Sequence, residues 1–520
     1  MNIIGFMDEK PEYDRTAGDY SQAIKLNPNA TEAHSNRGVE NTHKGKYARA
    51  IEDFSKAIKL NPQDPEVLSN RGIAYAYNGD FDRAMEDFTE AIRLREPYAP
   101  AYYNRGLLQY KKGELDQALQ DYNQALIYNA EDALTYYNRG IVYAEKKDYD
   151  KAIADLTKAL TYNPKYLAAS MVRSIMYAEN GDLNRAILDL TELIRQNPNH
   201  TPMFVNRGVI YSKMGNHLRA IDDYSAAIKC FPQYAIAYMN RGVVYAQKGD
   251  YDRALDDYNQ AIKYNAGYTL AYMNRGIAYV YKKDYDRGIE NLTQAIKLKP
   301  DSCELYANRS AAFIHKSMYQ QAIDDATQAV ACNPQYPPAY VNRGGAYASM
   351  EKYEKAIEDY TQAIQLNPQK ADFYTSRSYA YFKKRLYDNA IADLTLALRF
   401  NPENAQIYIS RGNVYYHKRD YDRAIEDATA AIQLKPKLAQ AYSNRSAAYV
   451  QKHDYQRAVE EAALAIQFSP TLTEAYINLG VAYVQLKEYV LAHKTFTEVL
   501  KINSRLPQVT AMLEMLRDLV

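Results

Sequence analysis

The sequence predicts an all-α solenoid, and three observations carry that expectation. One phrase recurs on a fixed spacing of 34 residues; each copy holds two stretches of helical apolar periodicity joined by a short turn; and the composition is skewed as a copied template would skew it. The phrase is plainest in AYMNRGVVYAQKGDYDRALDDY, Ala237 to Tyr258. Asn-Arg-Gly or a near variant stands at Asn36, Asn70, Asn104, Asn138, Asn206, Asn240, Asn274, Asn308, Asn342, Asn444 and Asn478, and Val172, Ser376 and Ser410, each followed by Arg, fill the missing beats. Fourteen beats run without insertion or deletion, so each unit must meet its neighbours in the same way. The 52 Tyr against 12 Phe and no Trp reflect the same copying.

Taken in order, residues 1–30 hold a degenerate partial repeat, in which Asp14 to Pro28 reads as a second helix whose partner is eroded. Residues 31–504 hold the fourteen repeats, and 505–520 a closing helix that presents Leu506, Val509, Met512, Leu513, Leu516 and Leu519. In the Asn240 repeat the spacing predicts a first helix over Ala235 to Lys248, a stop at Gly249-Asp250, and a second helix over Tyr251 to Tyr264. Asn-Pro breaks such as Asn163-Pro164 and Asn367-Pro368 end the second helices. Small residues recur where helices must approach closely: the Gly after the Arg, replaced only by Ser174, Ser310, Ser378 and Ser446, and an Ala in the second helix, replaced by Gly288. Tyr238, Tyr245, Tyr251 and Tyr258 fill the space around them, with their hydroxyls expected at the surface.

This order of aromatic, small residue, aromatic, Ala, aromatic, Ala and Pro on a period of 34 resembles the tetratricopeptide repeat family, over roughly Thr31 to Ser504. The resemblance implies a right-handed superhelix with a concave groove lined by the first helix of each pair. It also exposes a departure: the family usually has Leu before the Gly, whereas this chain has Arg in thirteen of fourteen units. A lone Arg among packed aromatics would forfeit its hydration, so a partner is required. Sixteen residues after each Arg stands an acid, Asp257 for Arg241 and equally Asp53, Asp87, Asp121, Asp155, Asp189, Asp223, Asp325, Asp359, Asp393, Asp427 and Glu461; Asn291 is the neutral stand-in. The last unit has Leu479 for Arg and Thr495 for the acid, so both charges vanish together. That covariation argues for a bidentate pair across the hairpin. The alternative is a ladder of arginines that binds a ligand.

Helical spacing sets Ile236, Met239, Asn240, Val243, Ala246 and Gln247 on the stripe away from the packed side, so the Asn belongs to the groove face. Asn carries a donor and an acceptor, the pair that grips a peptide bond without reading its side chain. Its other reading is a tie between adjacent helices. The gripping reading, which resembles the asparagine ladders of other tetratricopeptide arrays, nominates Asn70, Asn104, Asn138, Asn206, Asn240, Asn274, Asn308 and Asn342. Tyr77, Tyr103, Tyr110 and Tyr137 interleave with three of these as apolar anchors; Tyr379, Phe382 and Tyr416 beside Lys383, Lys384, Arg385 and His417 form a second cluster suited to an acidic segment. Either cluster has packing as its alternative. The phrases YANRSAAF and YSNRSAAYVQKHDYQRAVEEA are similar to co-chaperone members of the family, whose clamp holds acidic tails, but no Lys precedes any of the Asn residues here, which argues against that clamp.

No catalytic constellation, cofactor motif or metal-ligand pair interrupts the repetition. The eight histidines are scattered with no His-x-x-x-His, there is no Cys-x-x-Cys, and neither GxGxxG nor a GKS/T loop occurs. Acids and bases nearly cancel, 63 against 64, so nucleic acid is not an expected partner. No segment has the apolar length of a membrane span, and a soluble, cytoplasmic protein is expected. Three cysteines make no disulfide framework; Cys303 and Cys332 would share one hairpin, and free, half-buried thiols are the expected state. Two functions remain: a non-enzymatic scaffold that holds an extended or helical segment of a partner protein, or a structural element that assembles into dimers or filaments through its terminal helices.

Overall fold

The computed structural model describes residues 17–517 and Leu519, and among these residues it has thirty α-helices and no strand. The helices fall into two compact units divided between Val244 and Tyr245. Within each, antiparallel helix pairs stack in chain order, every helix packing on the next and first helices also meeting first helices, which makes the fold an all-α solenoid.

The repeat at Asn206 shows why the sequence folds this way. Its first helix, Thr201–Lys213, ends at a turn in which Gly215 takes a φ of 74°, a left-handed conformation that glycine adopts without strain. Asn216 then caps the second helix, His217–Cys230, by accepting the N–H of Arg219 at 3.3 Å. Beyond Cys230 the chain turns extended at Phe231 and Pro232 follows, which stops the helix. All second helices from Tyr47–Leu60 to Tyr489–Ile502 are fourteen residues long, and the Asn240 repeat has Ala235–Gln247 and Tyr251–Tyr264, within a residue of the sequence expectation.

Close packing depends on small residues facing large ones. A Cβ added at Gly208 would lie 2.7 Å from the ring of Tyr224, and Gly72 stands in the same relation to Phe88. The aromatic rings of Phe54, Phe88, Tyr122, Tyr224, Tyr258 and Phe496 are almost wholly buried as a result. At Tyr122 this departs from the expectation that tyrosine hydroxyls lie at the surface: its hydroxyl is buried with the ring and finds no partner among the described residues.

The ends are atypical. Ala17–Leu26 is the helix expected before the first full repeat; Asp14 to Thr16 lie outside the described residues. Pro507–Leu516 closes the last repeat, with Val509 and Leu516 buried and Leu506, Met512 and Leu513 packed against a core that contains Phe496 and Val499. Most of the apolar face expected to be available for assembly is therefore covered by the protein's own last hairpin, leaving Met515 and Leu519 exposed.

Candidate partner-binding site

Every described Arg–acid pair lies within one hairpin, and in ten of them the contact is bidentate. Arg207 donates from Nε and Nη2 to Asp223 at 2.9 and 2.7 Å, and Arg377 to Asp393 at 2.8 and 2.7 Å. Glu461, one methylene longer, takes a single bond of 2.8 Å from Arg445. The third nitrogen reaches back to the preceding repeat: Arg207 Nη1 donates to the Thr191 hydroxyl at 2.9 Å and Arg71 Nη1 to Ser55 at 3.2 Å. Tyrosines flank the guanidinium, as Tyr340 does at 5.6 Å from Arg343. Burial pushes the Asp87 and Asp427 carboxyls above the usual value, opposed by the hydrogen bonds from Arg71 and Arg411. Arginines engaged on three sides in this way form no ligand ladder. Arg241 donates to Ser225 at 2.9 Å; it and Asp257 belong to different units, and their pairing stays a sequence expectation.

The asparagines divide. Asn342 Nδ2 donates to the Ala307 carbonyl at 2.8 Å and Asn478 Nδ2 to that of Ser443 at 2.9 Å, tying each first helix to the preceding one. Asn138 donates to the Tyr103 hydroxyl at 2.9 Å and to the Leu134 carbonyl. Asn70, Asn206, Asn240 and Asn308, all half-buried, make no side-chain hydrogen bond among the described residues, so donor and acceptor stay available. In three repeats the residue before the Asn, which helical spacing would place on the open stripe beside Asn240, is buried instead: Met239, Met273 and Ala307.

The first tyrosine cluster is largely packing. Tyr137 is 2% exposed, within a core that includes Leu156 and Met176, and is no anchor; Asn104 and Asn138 are buried too. Tyr77 stacks on Tyr47 at 5.2 Å, Tyr103 lies 6.0 Å from Tyr122, and Tyr110 donates to Glu145, its phenol held well above the ordinary value by burial and by that carboxylate. In the second cluster Tyr379 is half exposed under the Lys383 ammonium at 5.4 Å, and Phe382 and Tyr416 both pack edge-on to His417, whose pKa burial lowers. Lys384 is paired with Glu354 at 2.5 Å, which removes one cation from that patch.

Two cavities adjoin a repeat that sequence reasoning did not favour over the others. One, of about 360 Å³, is walled by Ile277, Val280, Tyr281, Leu292, Asn308 and His315. The other, of about 600 Å³, is lined by Arg275, Arg287, Lys297, Asn291 and two tyrosines. Their signal lies in the sequence: the Asn274 repeat alone has Gly288 for Ala and Asn291 for the acid. Val280 comes within 2.7 Å of where a Gly288 Cβ would stand, so the substitution lets the helices settle differently there. Among the described residues no three His, Cys, Asp or Glu side chains are placed to hold a metal, and no helix is long and apolar enough to cross a membrane.

Family models for the tetratricopeptide repeat match residues 42–79, 69–133, 133–166, 205–268, 270–302, 337–370, 380–439, 409–473 and 473–505. The chain belongs to the tetratricopeptide repeat family. As a tetratricopeptide array it is a protein-interaction scaffold by class, with a fold that is typically non-enzymatic. No curated protein matches it by sequence. Among solved structures it is similar to a chain of the APC/C hetero-tetramer Cut9–Hcn1, at 16% identity and TM-score 0.48 over 96% of this chain and 98% of that one. A chain of Naa15/Naa10 bound to HypK-THB is similar at 15% identity and TM-score 0.40 over 98% and 94%, and yeast Tom70 at 17% and 0.42 over 84% and 98%.

Proposed function

We propose that this tetratricopeptide array is a non-enzymatic scaffold that holds an extended or helical segment of a partner protein against the first helices of the Asn274 and Asn308 repeats. The observation that carries this reading is the apolar cavity at Val280, Tyr281 and Leu292, with the uncommitted Asn308 amide in its wall. An apolar side chain of the partner fills the cavity while the amide grips the adjoining backbone. Tyr281, 66% exposed and stacked on Tyr251 at 5.3 Å, offers a rigid aromatic rim. Asn206 and Asn240 provide a second pair of open amides in the other unit, whereas Asn342 is already held by Ala307.

Self-assembly is the second reading: among the described residues of the terminal helices, Leu26, Met515 and Leu519 are the large apolar side chains left exposed, a small patch beside the area of a standard interface. The test is capture of partners from a lysate by the full chain and by two variants, Asn308→Ala and the cavity-filling Ala311→Phe. Asn308→Ala is expected to reduce retention of the partner about fivefold, the worth of one hydrogen bond of about 1 kcal/mol, and Ala311→Phe to reduce retention of the same partner by filling the cavity. Equal retention by all three proteins would refute this placement of the site.

A further inference from the structure

Thirteen repeats carry the arginine, and Arg275 is the one whose opposing position is neutral. Its Nε donates to Asn291 Oδ1 at 2.7 Å and its Nη1 to Asn259 Oδ1 at 2.7 Å, both uncharged acceptors. The Asn291 amide nitrogen is turned to the Arg287 carbonyl at 2.8 Å. In ten other repeats Nη2 donates to the second carboxylate oxygen at 2.6–2.9 Å. Here Nη2 has no acceptor among the described residues, and the guanidinium keeps an uncompensated charge.

That charge lies beside open space. The 600 Å³ cavity at Arg275 is also lined by Arg287 and Lys297, with Glu290 as its one acid. Arg287 is held only loosely, 3.6 Å from Asp284 and mostly exposed. The comparable cavity at Arg37 differs: Asp53, Glu40 and Glu52 nearly balance Arg37, Lys44, Lys46 and Arg49 in its lining, and Arg37 is engaged by Asp53. A cavity with a cationic excess and a half-satisfied guanidinium fork calls for an anion shaped like the missing one.

We infer that the Arg275 cavity receives a carboxylate from an acidic segment of a partner protein, completing between two chains the ion pair that the other repeats complete within one. With Nε and one N–H of Nη1 committed, both N–H groups of Nη2 remain for a carboxylate; Arg287 and Lys297 add positive charge to the lining, and the rings of Tyr272 and Tyr279 lie 5.3 and 5.7 Å from the guanidinium carbons of Arg275 and Arg287. This site does not depend on the Asn308 cavity, because its decisive variant leaves Val280, Asn308 and Ala311 unchanged.

That variant is Asn291→Asp, which supplies the carboxylate from within the chain and matches the other repeats, so it folds. A labelled oligoglutamate peptide is titrated into the full chain, with oligoglutamine and inorganic phosphate as separate arms. The native chain is expected to bind oligoglutamate, with affinity falling as salt rises. N291D is expected to lose about tenfold or more in affinity and to melt at a higher temperature without peptide. Gln365→Glu, the same charge change on a remote exposed surface, is expected to bind as the native chain does. Unchanged affinity in N291D, an equal loss in Gln365→Glu, or binding of phosphate in preference to the peptide would each overturn the assignment.

Discussion

At the residue scale the arginine pairs are the most demanding feature, since a half-buried guanidinium that loses its acid keeps a charge with little hydration to offset it. Asp223 is 5% exposed, and Asp223→Ala is expected to lower stability by about 3 kcal/mol because Arg207 is left unpaired. The last repeat shows the alternative solution: Leu479 is buried there, and the Thr495 hydroxyl is satisfied by the Leu491 carbonyl. Arg207→Leu combined with Asp223→Thr should therefore cost less than the single change, as urea denaturation of the three proteins will show; a double variant worse than Asp223→Ala argues against the pair. The covariation of Leu479 with Thr495 made this contact legible in the sequence. A third partner was legible in the same way: two residues after each acid stands Ser, Thr or Asn wherever an Arg follows, and Ala463 precedes the repeat with Leu479. Which asparagines grip and which tie was not legible, because it depends on how closely successive first helices approach. Buried tyrosines add a pH dependence. Burial pushes Tyr360 up to about 12 and Tyr224 and Tyr258 up as well, so above about pH 10 the unfolded chain ionises these phenols while the folded one cannot. Stability present below pH 10 should fall as pH rises from about 10 towards 12, with phenolate absorbance appearing together with loss of helical ellipticity; absorbance that rises well before helix is lost would count against burial.

At the element scale the helix pair is set by a complementarity of small and large. In the sequence every aromatic residue at the later position follows a Gly by sixteen residues, and where Ser174, Ser310, Ser378 or Ser446 replaces the Gly, the later position holds Leu190, Ala326, Leu394 or Ala462. Gly208→Ala must move the buried Tyr224 ring, an overpacking of about 1–3 kcal/mol that outweighs the helix-forming gain of about 0.5–1 kcal/mol. Gly412→Ala meets Asp427 Cβ at 3.3 Å with only Ala428 sixteen positions on, so the same change there should be near neutral or stabilising. Melting temperatures that fall equally in both would show that the aromatic is not the reason for the Gly. The turn carries its own constraint. Arg419 sits at a φ of 68°, where an L side chain is strained, and Arg419→Gly is expected to gain about 0.5–1 kcal/mol in thermal unfolding.

At the scale of the whole molecule, each unit is held together by contacts between neighbours in the chain, with the arginine linking both a hairpin and the repeat before it. Arg207 joins His217–Cys230 through Asp223 and Leu183–Gln196 through Thr191. Stability in such an array is a sum of local terms and nearest-neighbour interfaces, not a single cooperative core. Damage at Asp223 should therefore spread a repeat or two and then fade. In Asp223→Ala, hydrogen exchange is expected to accelerate most in Thr201–Lys213 and His217–Cys230, less in Leu183–Gln196, and little in Thr31–His43 at the other end of the same unit. Uniform acceleration along the unit would mean that its repeats unfold as one body, and the arginines would then be cross-braces of a single domain instead of links between adjacent repeats.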